Sequence, residues 1–167
     1  MTPRVLVAGM GNDLCRDDGF GIVAVRRFAE TAMPEGVKAY EAGIGGIGLI
    51  QELMDGYEAL VIVDAVDRGG KPGTVYLLET QVPKTEDLST ESRQGFVADM
   101  HYTVPSKALT LAQALDVLPP RVYILGCEPQ DCGLGMELSE PVEAGIAEAV
   151  GILRELTIQL TSGCVPA

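Results

Sequence analysis

The chain has 167 residues, 47% of them hydrophobic, which suits one domain built around a single sizeable core. Its 24 acidic residues outnumber 12 basic ones, for a formal net charge of -12. That balance argues against nucleic acid and anionic membrane surfaces as partners. The opening MTPRVLVAGM is too short and too soon interrupted for a signal peptide, and no apolar run approaches the length of a membrane span. The expected location is the cytoplasm, where Cys15, Cys127, Cys132 and Cys164 are expected as reduced thiols.

In chain order, the apolar run Val5 to Ala8 predicts a buried strand, followed by a glycine turn at Gly9 and Gly11. A helix is expected over Gly21 to Met33, with Ile22, Val25, Phe28, Ala29 and Ala32 on one face and Pro34 as its stop. Val37 to Ala42 reads as a second strand. GIGGIG, Gly43 to Gly48, reads as a turn into a short helix ending at Leu53. ALVIV, Ala59 to Val63, is continuously apolar, as in a strand buried on both faces. A strand at Thr74 to Leu78 follows Gly73, and the polar stretch Thr80 to Ala98 reads as a long loop. Pro105 to Leu115 is expected as a helix and Arg121 to Gly126 as a strand. The last helix opens at Ser139 as cap, with Pro141 in its first turn and an apolar stripe of Ile146, Ala149, Val150, Leu153, Leu156 and Leu160. The alternation predicts an α/β three-layer sandwich: a mostly parallel twisted sheet of about five strands with helices on both faces. A single domain over 1–161 with a frayed tail at 162–167 is the expected organisation.

The first loop, GMGNDLCRDDGFG, begins like a nucleotide site and then departs from one. Leu14 stands where a dinucleotide fingerprint needs its third glycine, and no Gly-Lys-Ser/Thr follows. Asp13, Asp17 and Asp18 would repel a pyrophosphate. The glycines read as turn-makers or points of close backbone approach. The aspartates suit a cation, or one of Asp17 and Asp18 caps the helix that follows. One is enough for a cap, which leaves the other.

Ligands of such sheets bind beyond the carboxyl ends of the strands. Three side chains fall there: Asp18 after the first strand, Asp64 at the end of ALVIVD, and His101, the one histidine of the chain, before the third helix. Singly, each has a plain structural reading. Together, two carboxylates and an imidazole suit a divalent metal with open coordination positions. Glu79 and Asp67 form a weaker rival set, Asp67 reading as part of a solvated turn. Cys127 and Cys132 have permissive zinc spacing but no second pair. Neither a G-x-S-x-G elbow nor H-E-x-x-H occurs.

These motifs, in this order, resemble the [NiFe]-hydrogenase maturation endopeptidases over Val5 to about Leu160. GMGNDLCRDDGFG is similar to that family's G-x-G-N-x-L-x-x-D-[DE]-G-x-G opening. EAGIGGIGLIQEL is similar to its second glycine segment, from which Glu41 and Ile44 depart. LVIVDAVDRGGKPGTVYLL and LGCEPQDCGLGMELSEPVEAGI complete the match, with CEP where the family often has I-x-P. The resemblance implies that Asp18, Asp64 and His101 are the metal-contacting and catalytic residues. It implies nickel as the metal, supplied by the substrate: a [NiFe]-hydrogenase large-subunit precursor whose C-terminal extension is removed after its metal centre is inserted. A monomer is the expected state, since docking a folded partner needs a free strand-end face. Whether nickel activates the water or an aspartate acts as base stays open. The GIGGIG turn is expected either to shape the peptide groove or to serve as a plain helix entry. The rival readings are a non-hydrolytic nickel carrier or chaperone, usually richer in histidine, and a nucleotide enzyme, which Leu14 and the aspartates oppose.

Overall fold

A computed structural model describes the chain over residues 4–82 and 104–163. His101, Cys164 and most of the expected Thr80 to Ala98 loop lie outside the described residues. Five apolar runs become five strands: β1 (Val5–Met10), β2 (Val37–Gly43), β3 (Ala59–Ala65), β4 (Val75–Thr80) and β5 (Arg121–Cys127). They form one sheet in the order β2-β1-β3-β5-β4. β1 runs parallel to β2 and β3, and β3 parallel to β5; β4 alone is antiparallel, on the outer edge of β5. The two most apolar strands take the middle: every residue of β1 is buried, as is β3 from Ala59 to Asp64. β2 and β4, with mixed sequences, are the edges.

The helices are α1 (Phe20–Ala29), α2 (Gly46–Leu53), α3 (Val104–Ala114) and α4 (Glu140–Thr161). Strand side chains alternate between the two faces. Val5, Val7, Val61, Val63 and Leu125 pack with Phe20 and Phe28 of α1 and Ile146 and Leu153 of α4. Leu6, Ala8, Leu60 and Ile62 pack on the other face with Leu49 and Leu53 of α2 and Ala108 and Leu109 of α3. This is the expected three-layer sandwich. Each fully buried Leu or Phe contributes about 1.5–3 kcal/mol of transfer free energy. Among the described residues no helix is long and apolar enough to cross a membrane.

The first layer contact explains two of the glycines. A Cβ on Gly9 would lie 2.5 Å from the carbonyl oxygen of Gly21, and one on Gly21 would lie 2.0 Å from that of Val63. α1 therefore rests on β1 and β3 backbone to backbone, the close approach expected of Gly9 and found at Gly21 as well.

Some expected boundaries shift. α1 stops at Ala29, not Met33. The Thr31 hydroxyl donates to the Phe28 carbonyl at 2.7 Å, and the Thr31 N–H closes on the same oxygen, which ends the helical ladder before Pro34 is reached. Ala29 and Ala32 are exposed, and the buried stripe uses Phe20 and Ala24 in their place. β3 runs two residues past Val63, so Asp64 lies within a strand.

Candidate active site

The loop after β1 is shaped by Gly11, whose φ of 111° is in the region that favours glycine. Its N–H donates to the Gly43 carbonyl at 3.0 Å, tying the loop after β1 to the end of β2. A Cβ here would strike the Asp18 carbonyl oxygen at 1.9 Å and reach within 3.4 Å of Asp64 Oδ1. The chain then makes one turn of 3-10 helix, Arg16–Gly19, which carries both aspartates.

These two neighbours have different fates. Asp17 is 0% exposed. Its carboxylate accepts the N–H groups of Gln130 (2.8 Å), Asp131 (2.9 Å) and Ser139 (2.7 Å) and the Ser139 hydroxyl (2.7 Å). Burial pushes its pKa up, but these donors together hold it below the ordinary 3.8. The expectation that an aspartate caps α1 is therefore corrected. Gly19 is the N-cap residue and no side chain caps it, because Asp17 is turned onto the loop after β5. Ser139 does stand at the N-cap of α4, but its hydroxyl donates to Asp17 and does not cap the helix.

Asp18 is the aspartate left over. Its Oδ2 accepts the Asn12 N–H at 3.0 Å, and it lines an open cleft of about 670 Å³. Asp64 reaches the same cleft from β3, with Gly11, Ile44 and Asp67. Pro105 and Ser106, in the first turn of α3, form part of the lining. Asp64 is 9% exposed, and burial first, then the charge of Asp18, push its pKa up to about 7 against an opposing Ala65 N–H. No salt bridge reaches Asp18 or Asp64 from the described residues. Two carboxylates close enough to perturb one another, in a cleft whose described lining carries no Lys, Arg or His, form a site suited to a cation.

Two of the three expected ligands thus meet, and the third, His101, lies outside the described residues. In sequence His101 precedes Val104, where α3 begins, by three residues. Among the described residues no group of three His, Cys, Asp or Glu is placed to hold a metal. Of the rival set, Glu79 is exposed on β4 opposite Tyr123. Asp67 lines the cleft, and its Oδ1 accepts the Gly69 N–H at 3.1 Å in the expected exposed turn. Cys127 is buried at the end of β5 and Cys132 is exposed. Burial first, then the charges of Asp17 and Glu128, push the Cys127 thiol up to about 12. The GIGGIG turn serves as helix entry, with Gly45 the N-cap of α2, while Ile44 also lines the cleft.

Glu128 escaped the sequence reading. It is 2% exposed, and its carboxylate accepts the N–H groups of Arg68 and Gly69 at 3.1 Å and the Tyr76 hydroxyl at 3.0 Å. The signal for it in the sequence is its place immediately after a buried strand.

Comparison with known proteins bears on this arrangement. The family model described as hydrogenase maturation protease matches residues 22–155. The hydrogenase expression/formation protein HupD of Rhodobacter capsulatus is 36% identical over 167 residues, covering 96% of this chain and 76% of that protein. The crystal structure of a hydrogenase 2 maturation peptidase from Thaumarchaeota archaeon SCGC_AB-539-E09 aligns with a TM-score of 0.69 at 35% identity, over 92% of this chain and 97% of the other. The E. coli hydrogenase maturating endopeptidase HybD shares the fold, with a TM-score of 0.75 at 23% identity over 93% of each chain.

Proposed function

The chain belongs to the hydrogenase maturation protease family, and from that premise we propose that it is an endopeptidase that removes the C-terminal extension of a [NiFe]-hydrogenase large-subunit precursor. Nickel, in this reading, is part of the substrate: it arrives in the precursor and marks it as ready for cleavage. The observation that carries the proposal is the meeting of Asp18 and Asp64 in one open cleft at the carboxyl ends of the strands. Carboxylates are suitable donors for a divalent ion, and His101 is the third ligand proposed.

The chain's own residues then have distinct tasks. Asp18 is held by the Asn12 N–H and presents its carboxylate to the cleft. With the protein's own groups alone, burial and Asp18 raise the pKa of Asp64 to about 7; a divalent ion beside it would lower that value and hold the carboxylate as a donor. Ile44 and the first turn of α3 wall the groove in which the extended tail would lie.

The test is cleavage of a nickel-loaded precursor, followed as a mobility change on a gel. Wild type should cut the loaded precursor and leave the nickel-free form intact, and His101→Ala should cut neither. Cleavage of both forms would remove nickel from the recognition step. Wild type that binds nickel itself but never cuts would support a carrier instead. Unimpaired cleavage by His101→Ala would remove the histidine from the site.

A further inference from the structure

Two buried carboxylates near the cleft take no part in the chemistry just proposed. Asp17 and Glu128 are 0% and 2% exposed. Each accepts backbone N–H groups and one hydroxyl, and neither has an ion-pair partner among the described residues. Such a charge is stable only while its donors stay in place, because breaking the set leaves a buried ion unsatisfied.

Their partners form a chain around the site. Asp17 adjoins Asp18 and grips residues 130, 131 and 139. Glu128, at the start of that same segment, grips Arg68 and Gly69, just beyond Asp64. Further bonds fasten the segment on both sides: the Arg16 N–H donates to the Gly135 carbonyl at 2.8 Å, and the Gly73 N–H to the Glu128 carbonyl at 2.8 Å. Gly70 leaves room for the second grip, since a Cβ there would lie 2.2 Å from the Tyr76 hydroxyl.

We infer that residues 128–139 form a clasp, fastened by Asp17 and Glu128, that sets the position of Asp18 relative to Asp64. Asp17 and Glu128 are then positioning residues for the peptide cleavage proposed above, on which this inference rests. The 3-10 turn bearing Asp18 packs on β3, in which Asp64 pairs with Gly126, but residues 12–17 and 66–70 on either side belong to neither core layer. The clasp ties both stretches to one piece of backbone. An isosteric amide would not serve, because its NH2 would face N–H donors.

The experiment compares wild type with Asp17→Asn, Glu128→Gln, Ser139→Ala and Tyr76→Phe. Leu160→Ala is included as a core control that lowers stability at the far end of α4. Cleavage of nickel-loaded precursor is measured where circular dichroism shows each variant folded. The amide variants should lose about tenfold or more in kcat with KM within about twofold, and the hydroxyl deletions a few-fold. Leu160→Ala should keep its kcat per folded molecule. In parallel, the side-chain carboxyl 13C resonances of Asp18 and Asp64 are recorded in the free proteins at one pH. They should move in Ser139→Ala and Tyr76→Phe and stay in Leu160→Ala. Unchanged kcat in the folded amide variants, or losses no greater than that of the control, would overturn the clasp. So would unmoved resonances in both hydroxyl deletions. If wild type itself leaves the precursor uncut, the functional reading falls and the resonances still decide the clasp. If the amide variants do not fold, the hydroxyl deletions decide it.

Discussion

Replacing Asp64 by Asn should make the protein more stable at neutral and alkaline pH while removing one of the two carboxylates of the cleft. Asn keeps the size of the side chain and never ionises. Asp64 has an ordinary value of 3.8 and is pushed up to about 7 in the fold by burial and then by Asp18. Below pH 3.8 the carboxyl is protonated in both folded and unfolded chains, so it contributes no penalty. As pH rises above that, the unfolded chain releases the proton and the folded chain keeps it, until ionisation is forced near pH 7. The stability present at low pH is thus lost across this window. The span from 3.8 to about 7, at about 1.4 kcal/mol per tenfold change, corresponds to roughly 4 kcal/mol. The chain has no Trp, so urea unfolding is best followed by far-ultraviolet circular dichroism. The stability of wild type minus that of Asp64→Asn should fall by about 4 kcal/mol between pH 4 and pH 8. Repeating the comparison in an Asp18→Asn background should shrink the fall without removing it, because burial is the larger cause. A difference that stays flat to within about 0.5 kcal/mol across this range would refute the argument that Asp64 is held against its ionised form.

Two glycines should respond to alanine with opposite signs. Gly21→Ala places a Cβ 2.0 Å from the Val63 carbonyl oxygen and should cost more than about 3 kcal/mol, read from the urea midpoint. Gly151→Ala, in α4 with nothing within 4 Å, should stabilise by about 0.5–1 kcal/mol in the same assay. Leu153→Ala, at a position 0% exposed between α4 and the sheet, should cost about 2–5 kcal/mol, with the denaturant slope unchanged.

The sheet was legible because its central strands are buried on both faces, so ALVIV and VLVA announce themselves without any alternation to decode. Helix ends were less so. Pro34 was a visible stop, but a local bond from Thr31 to Phe28 acted first, and that competition depends on geometry that periodicity does not carry. The cleft pair Asp18 and Asp64 could be picked out because one follows β1 and the other stands at the carboxyl end of β3. The partition of labour within Asp17–Asp18 could not. It depends on which carboxylate turns toward residues 130–139, a segment more than a hundred positions away. Glu128 was hidden for the same reason, since its partners Arg68 and Gly69 lie across a long excursion of the chain. The exposed pair of Arg26 with Glu41, by contrast, involves a residue that departs from the family pattern, yet screening limits such a surface pair to about 1 kcal/mol or less.

The bond from the Ser139 N–H to Asp17 joins residues 122 positions apart. Closing so long a stretch of chain costs conformational entropy before the bond returns anything, so contacts of this kind form late on the way to the native state. Late contacts govern escape more than arrival: weakening them speeds unfolding while leaving the folding rate nearly as it was. The Asp17 anchorage therefore acts as a latch in time as well as in space. Loosening it in Ser139→Ala should speed unfolding, followed by stopped-flow circular dichroism, with the folding rate nearly unchanged.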